Sequence, residues 1–176
     1  SEEFYRKQTS GSVITTSQPS PGDVADMWSH LLATYDEIVF IPMSSGLSNT
    51  CQTALLLAEE EPYKDRVYVV DNHRISVTQA LSVLDAKTLA DEGKTACEIK
   101  DILEKEAMDA TIYIAVDTLE YLKKGGRITA AAAALGTILK LKPVLTIQGD
   151  KLDSYAKTRG MKSAFRVMLE AVKSDI

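Results

Sequence analysis

The sequence predicts an α/β protein: a parallel sheet with helices on both faces, followed by a second α+β lobe. Three observations carry this. The continuous apolar runs Ile38-Val39-Phe40-Ile41 and Val67-Tyr68-Val69-Val70 have the character of strands buried on both faces. Each run is followed by a segment of helical period, the alternation that builds a parallel sheet. From Thr111 onward the order changes to a strand, short helices and two strands joined through Gln148-Gly149-Asp150-Lys151, which reads as an antiparallel hairpin turn. On this pattern residues 1–109 form the parallel domain and residues 110–176 the second lobe.

Each element has a local reason. Residues 1–7 read as the end of a helix, residues 9–12 as a loop, and the β-branched run at 13–16 as a short strand. Thr16-Ser17-Gln18-Pro19-Ser20-Pro21 then interrupts regular structure, because two prolines forbid a ladder while the hydroxyls can cap the next helix. That helix is expected over 22–35 with Val24, Met27, Trp28, Leu31 and Leu32 on one face. After the strand at 38–41 and a polar turn at 44–50, a helix runs through 52–60. The strand at 66–71 leads to a helix over 78–92, with Ala80, Leu81, Leu84 and Leu89 inward and Gly93 at its stop. Thr95-Ala96-Cys97-Glu98 is a capping box, and Ile99, Ile102, Leu103 and Ala107 form the stripe behind it.

In the second lobe the expected order is a strand at 111–116, a helix at 118–124, a Gly-Gly break and an Ala-rich helix at 130–139. Strands at 143–147 and 152–157 come next, and a closing helix at 161–173 carries Ala164, Phe165, Met168, Leu169 and Val172.

Composition narrows the class. With 176 residues, 45% hydrophobic and 26% charged, the chain suits one full domain or two small ones with a real core. Residues 38–58 carry no charge, but Pro42, Ser44, Ser45, Ser48, Asn49, Gln52 and others make them too polar to span a membrane. The acidic start, Ser1-Glu2-Glu3, is unlike a signal peptide, so a cytoplasmic protein is expected. Cys51 and Cys97 lack any CxxC or histidine partner at metal spacing; no disulfide framework, metal or cofactor is signalled, and both read as buried thiols. Net charge is −5, distributed as −12 over residues 1–122, +8 over 123–166 and −1 over the last ten. The basic stretch either faces something anionic or mixes with acidic neighbours on a folded surface.

The candidate chemistry gathers at four places. Ser44-Ser45-Gly46-Leu47-Ser48-Asn49-Thr50 joins a buried strand to a helix. It reads either as a Ser-rich N-cap or as an anion site of hydroxyls, free backbone N–H groups and the helix dipole, with Gly46 allowing close approach. Thr16 and Ser17 lie in a loop able to bring further hydroxyls to the same sheet edge. Asp117 to Arg127 reads first as helix engineering, with Asp117 as N-cap, Glu120 three residues on, Lys123 and Lys124 at the negative end and Gly125 beyond it. That leaves Gly126 unexplained and Arg127 available to offer a fork to a carboxylate. His30 reads as an ordinary helix side chain. Asp71, His73 and Ser45 fall at neighbouring strand ends, as a hydrolytic triad requires, but no Gly-x-Ser-x-Gly elbow is present. Gly-x-Gly-x-x-Gly and Walker A loops are also absent.

Taken in order, Thr16-Ser17-Gln18-Pro19-Ser20-Pro21, Ser44 to Thr50, Val69-Val70-Asp71, Val116 to Ile128 and Leu141-Lys142-Pro143-Val144-Leu145 resemble the signature of the DegV family of bacterial fatty-acid-binding proteins. The resemblance covers nearly all of the chain, and the block around Arg127 is its strongest part. It implies a two-lobed fold holding one long-chain fatty acid in a tunnel between the lobes. Its carboxylate would meet Thr16 and Ser45, with Ser17, Ser44, Gly46 and Arg127 around it. It further implies that the protein is no enzyme itself but the lipid-presenting half of a fatty acid kinase. An ATP-dependent kinase subunit would then make an acyl phosphate for phospholipid synthesis, facing Arg159 and Lys124. Family members also carry strands before and elements after the equivalent of these residues, so the fold is expected to be incomplete at both ends.

Two other classes remain in view: a serine hydrolase using Ser45, His73 and Asp71, and a nucleic-acid binder using the basic stretch. Against the latter, only Tyr155 and Phe165 of the aromatics lie within that stretch, too few for base stacking.

Overall fold

The computed structural model describes residues 2–135, 141–147 and 151–176. The expected hairpin turn at 148–151, all but its last residue, and the second half of the expected helix at 130–139 lie outside the described residues.

Helix α1 spans Glu2–Thr9 and exposes nearly all its side chains. No strand forms at 13–16, where Val13 is 92% exposed. β-Branched residues favour a pleated, half-buried surface, and this segment packs against none. Helix α2, Pro21–Leu32, starts where the hydroxyls and proline predict: the Ser20 hydroxyl accepts the Asp23 N–H at 3.1 Å, and Pro21 supplies a first-turn φ. Its buried row is Val24 and Trp28; Met27, expected on that face, is exposed.

Strands β1 (Ile38–Phe40) and β2 (Val67–Val69) pair in parallel, Val39 opposite Tyr68. Helix α3 (Thr50–Ala58) joins α2 on one side of this pair, in a cluster of Val24, Trp28, Cys51, Ala54, Tyr63, Val67 and Val69. On the other side Val70, Ala86, Ile99 and Leu103 meet Val39 and Ile41. Ala86 belongs to helix α4 (Ser76–Asp91), and Ile99 and Leu103 to α5 (Ala96–Lys105). Helices on both faces of a parallel pair are thus present, and the Thr95–Glu98 capping box opens α5 with both reciprocal bonds made.

Helix α4 turns a different face inward from the expected one. Ser82 and Ala86 are buried, while Ala80, Leu81 and Leu84 are exposed. Apolar residues occur all round this helix, so period alone does not select a face. A polar partner does: the buried Asn72 amide donates to the Ser82 hydroxyl at 2.8 Å and Arg74 Nη1 donates to it at 3.1 Å. Cys97, expected to be buried, lies exposed in the first turn of α5, whereas Cys51 is buried as expected.

The second sheet is antiparallel in the order β3 (Ile112–Ala115), β4 (Leu141–Ile147), β5 (Asp153–Arg159). Pro143 sits in its central strand with no N–H to donate, and the ladder to β5 shifts register one residue on, between Val144 and Leu145. Helix α6 is Glu120–Gly125. Leu119, not Asp117, holds its N-cap position, and Thr118 Oγ1 accepts the Glu120 N–H at 3.1 Å. Gly125 belongs to the helix, and Gly126 caps it at φ +70°, which explains the second glycine: the left-handed turn falls one residue later than expected. Helix α7 (Ala130–Ala134) comes next, and α8 (Met161–Asp175) packs on the sheet through Ala164 and Ala171. Phe165, Leu169 and Val172, expected inward, are exposed.

Candidate functional site

The site begins where β1 ends. The chain leaves Phe40, turns at Ser44 and enters α3 at Thr50, so residues 44–50 stand at the carboxyl edge of the parallel pair and at a helix N-terminus. The turn is closed by the Leu47 and Ser48 N–H groups, which donate to the Ser44 carbonyl at 3.0 and 3.1 Å. Side chains reinforce it. The Gly46 N–H donates to Ser44 Oγ at 3.2 Å, and the Thr50 N–H to Ser48 Oγ at 3.2 Å. Asn49, at the N-cap position, makes no side-chain capping bond, so Ser48 supplies the acceptor at the helix start.

This serine loop is tied to the segment after β2. The Ser44 N–H donates to the Arg74 carbonyl at 2.8 Å, and the Ser45 N–H to Asp71 Oδ1 at 3.4 Å. It is also tied to the second sheet. Leu47 is buried in that sheet's core with Leu119, Ile128, Ala132, Leu135, Leu145, Ile147 and Leu152. Arg127, 80 residues away in sequence, donates from Nε to the Leu47 carbonyl at 3.2 Å and from Nη1 to the Gly125 carbonyl. Arg127 and the serine loop therefore meet, through the Leu47 carbonyl. Leu47 carries no chemical signal in the sequence beyond being the one large apolar residue inside a polar loop.

Thr16 and Ser17 are exposed. Just beyond them, the Gln18 amide donates to Thr53 Oγ1 at 3.0 Å in the first turn of α3, which brings this loop to the helix end that the serine loop begins. Ser44 is buried and Ser45 half-buried. Lys124 and Arg159 are exposed. Lys124 pairs with Glu120 at 2.7 Å, and that hydrogen bond and charge hold its ammonium pKa above the usual value. Arg159 ends β5.

For the triad arrangement, His73 Nδ1 lies 3.8 Å from Asp71 Oδ1, longer than a hydrogen bond, and the Ser45–Asp71 contact uses the Ser45 backbone. Among the described residues no group of three or more His, Cys, Asp and Glu side chains could hold a metal, and no helix is long and apolar enough to cross a membrane. A cavity of about 430 Å³ lies between β1, α4 and α5, walled by Val39, Ile41, Val83, Ala86 and Ile99, with no serine-loop residue in its wall.

Cys51, in the first turn of α3, is fully buried. Burial first, and the Asp71 carboxylate next, push its thiol from an ordinary 9.0 up to about 12. Native protein at pH 8 is therefore expected to react with a thiol reagent at Cys97 alone, with Cys51 reacting only on unfolding; two fast thiols would contradict the burial of α3. The sign for stability is fixed by the same shift. The folded state favours the neutral thiol, so this contribution is complete below pH 9 and is lost as the pH rises through about 12.

A family model described as "Uncharacterised protein, DegV family" matches residues 1–176. A DegV domain-containing protein of Deinococcus radiodurans is 36% identical over 161 residues, 92% of this chain and 57% of the relative. The chain spans about three fifths of the length of the curated relatives it matches. A DegV family protein from Thermus thermophilus, described for its fatty acid binding, is 38% identical with a TM-score of 0.87, covering 99% of this chain and 62% of that one. A DegV lipid-binding protein from Thermotoga maritima is 31% identical with a TM-score of 0.82, covering 99% and 61%.

Proposed function

Because the chain belongs to the DegV family, we propose that it holds a long-chain fatty acid with the carboxylate at the serine loop and the tail between two units, residues 1–109 and 110–176. The observation that carries the reading is the junction itself. The serine loop stands at a helix N-terminus, and Leu47 and Arg127 fasten that loop to the core of the second sheet. The fatty acid binding described for the Thermus thermophilus relative supports the ligand class.

The energetics suit such a division of labour. A tail of about 16 carbons gains roughly 0.8 kcal/mol per buried CH₂, on the order of 10 kcal/mol before ordering costs. The head group then needs only to be satisfied, and neutral donors do this with less desolvation than a buried ammonium. Thr16 and Ser45 are the hydroxyls assigned to the carboxylate, with Ser17, Ser44, Gly46 and Arg127 around it.

In this reading the protein presents its ligand and a partner does the chemistry. A carboxylate oxygen attacks the γ-phosphorus of ATP held by a kinase subunit, the bond to the β-phosphate oxygen breaks, and acyl phosphate and ADP leave. A head group held by neutral hydroxyls keeps its charge available as a nucleophile. Lys124 and Arg159, both exposed, are the basic residues that meet that partner, and the setting is cytoplasmic.

Organic extraction of the purified protein, followed by mass spectrometry, is expected to release about one fatty acid per chain. Ser45→Ala and Thr16→Ala are each expected to weaken fatty acid binding about tenfold, the scale of one hydrogen bond to a charged group. Recovery of no lipid, with no affinity for added fatty acid, would sink the reading.

A further inference from the structure

Asp71 lies two residues beyond β2, next to the serine loop, and its backbone is tied to α5. Its own N–H donates to Glu104 Oε1 at 3.0 Å; Glu104 in turn pairs with Lys100, whose ammonium also donates to the Val69 carbonyl at 2.7 Å. The half-buried Asp71 carboxylate reaches the start of the loop leading into α3. One Asp71 oxygen accepts the Ser45 N–H at 3.4 Å. The neighbouring Arg74 carbonyl takes the Ser44 N–H at 2.8 Å, and the buried Asn72 and Ser82 side chains fasten the Arg74 segment to α4.

We propose that Asp71 is a positioning residue for the head-group loop: by accepting the Ser45 N–H it fixes the loop at residue 45, so that Ser45 presents its hydroxyl to a ligand carboxylate. The inference rests on the fatty acid reading for its ligand, but not for its geometry. A bond to an ionised acceptor is stronger than a neutral one, and a receptor held in place before binding loses less entropy when the ligand arrives. A second carboxylate close to the ligand's own would repel it. Asp71 therefore acts through the Ser45 backbone rather than by contact with the ligand.

The test uses Asp71→Ala and Asp71→Asn, the latter retaining an oxygen acceptor at the same reach. Amide hydrogen exchange of residues 44–47 is expected to quicken at least tenfold in Asp71→Ala and to return near the parent rate in Asp71→Asn. Binding of hexadecanoic acid is expected to weaken about tenfold in Asp71→Ala and to recover in Asp71→Asn, while binding of hexadecanol changes little in either. Unchanged exchange in Asp71→Ala overturns the proposal. So does equal weakening of acid and alcohol, which would mark a general loss of structure. If the parent binds neither lipid, the fatty acid reading fails while the exchange rates still decide whether Asp71 holds the loop. Should Asp71→Ala not fold, Asp71→Ser, whose shorter side chain withdraws the acceptor, is read against Asp71→Asn in the same way.

Discussion

Trp28→Ala is expected to destabilise the protein by about 3–5 kcal/mol, the range for deleting a fully buried aromatic side chain. Trp28 is 0% exposed and lies edge-on to Phe40 and Tyr63, with ring centroids 5.3 and 5.4 Å away, so its loss empties the centre of the cluster joining α2, α3 and the parallel pair. Against a typical total of about 5–15 kcal/mol, this is a large share of the stability. Because Trp28 is the only tryptophan, the measurement is denaturant unfolding followed by far-UV circular dichroism rather than fluorescence. Trp28→Phe should cost less. It keeps an aromatic ring and removes an indole N–H that has no hydrogen-bond partner among the described residues. The neighbouring Met27→Ala should shift stability by no more than about 0.5 kcal/mol, because Met27 is exposed. Similar losses at 27 and 28 would mean that α2 turns a face other than the Val24–Trp28 row toward the core.

Leu47→Ala carries the second large effect, and it couples stability to the site. Removing a buried leucine costs about 2–5 kcal/mol, and here the cavity opens in the core of the second sheet although the residue belongs to the loop after β1. The same change frees the serine loop from one of its anchors, leaving the Arg127 bond to the Leu47 carbonyl without the packing that aims it. Unfolding midpoints and fatty acid affinity are therefore expected to fall together, whereas Leu56→Ala, on the exposed side of α3, should leave both near the parent values. A loss under about 1 kcal/mol in Leu47→Ala would show that the leucine is not seated in that core.

The two substitutions also show how much is legible without coordinates. Spacing from Val24 places Trp28 inward, and the structure agrees because the row 24–28 meets α3 and β1. Met27 belongs to the expected five-residue face, but the row that packs is Val24 and Trp28 and Met27 lies one residue off it. Leu47 is harder. A lone leucine between serines and glycine has no periodic neighbours, so no pattern assigns it to a core built from residues 119–152. The serine loop, Arg127 and the Thr16 segment are legible as motifs, and the bonds from Gln18 to Thr53 and from Arg127 to Leu47 show how two of those motifs reach one helix end. In the sequence Asp71 suggests a triad member and closes the Val69-Val70-Asp71 block; its hold on the Ser45 amide comes from β1 and β2 ending side by side.

What the sequence determined by itself was what depends on neighbours within a few residues. The two apolar strands, the Ser20 and Thr95 caps, the change to antiparallel pairing after Thr111 and the DegV signature all belong to that class, because backbone hydrogen bonding and capping are local. Only the tertiary structure decided which way α4 faces, why Cys97 lies outside while Cys51 lies within, and why residues 13–16 form no strand. Those outcomes depend on partners far along the chain: Asn72 and Arg74 draw Ser82 inward, and a β-branched run with no sheet against it has nothing to pair with. Burial is a property of pairs of surfaces, and the second surface is supplied by the fold.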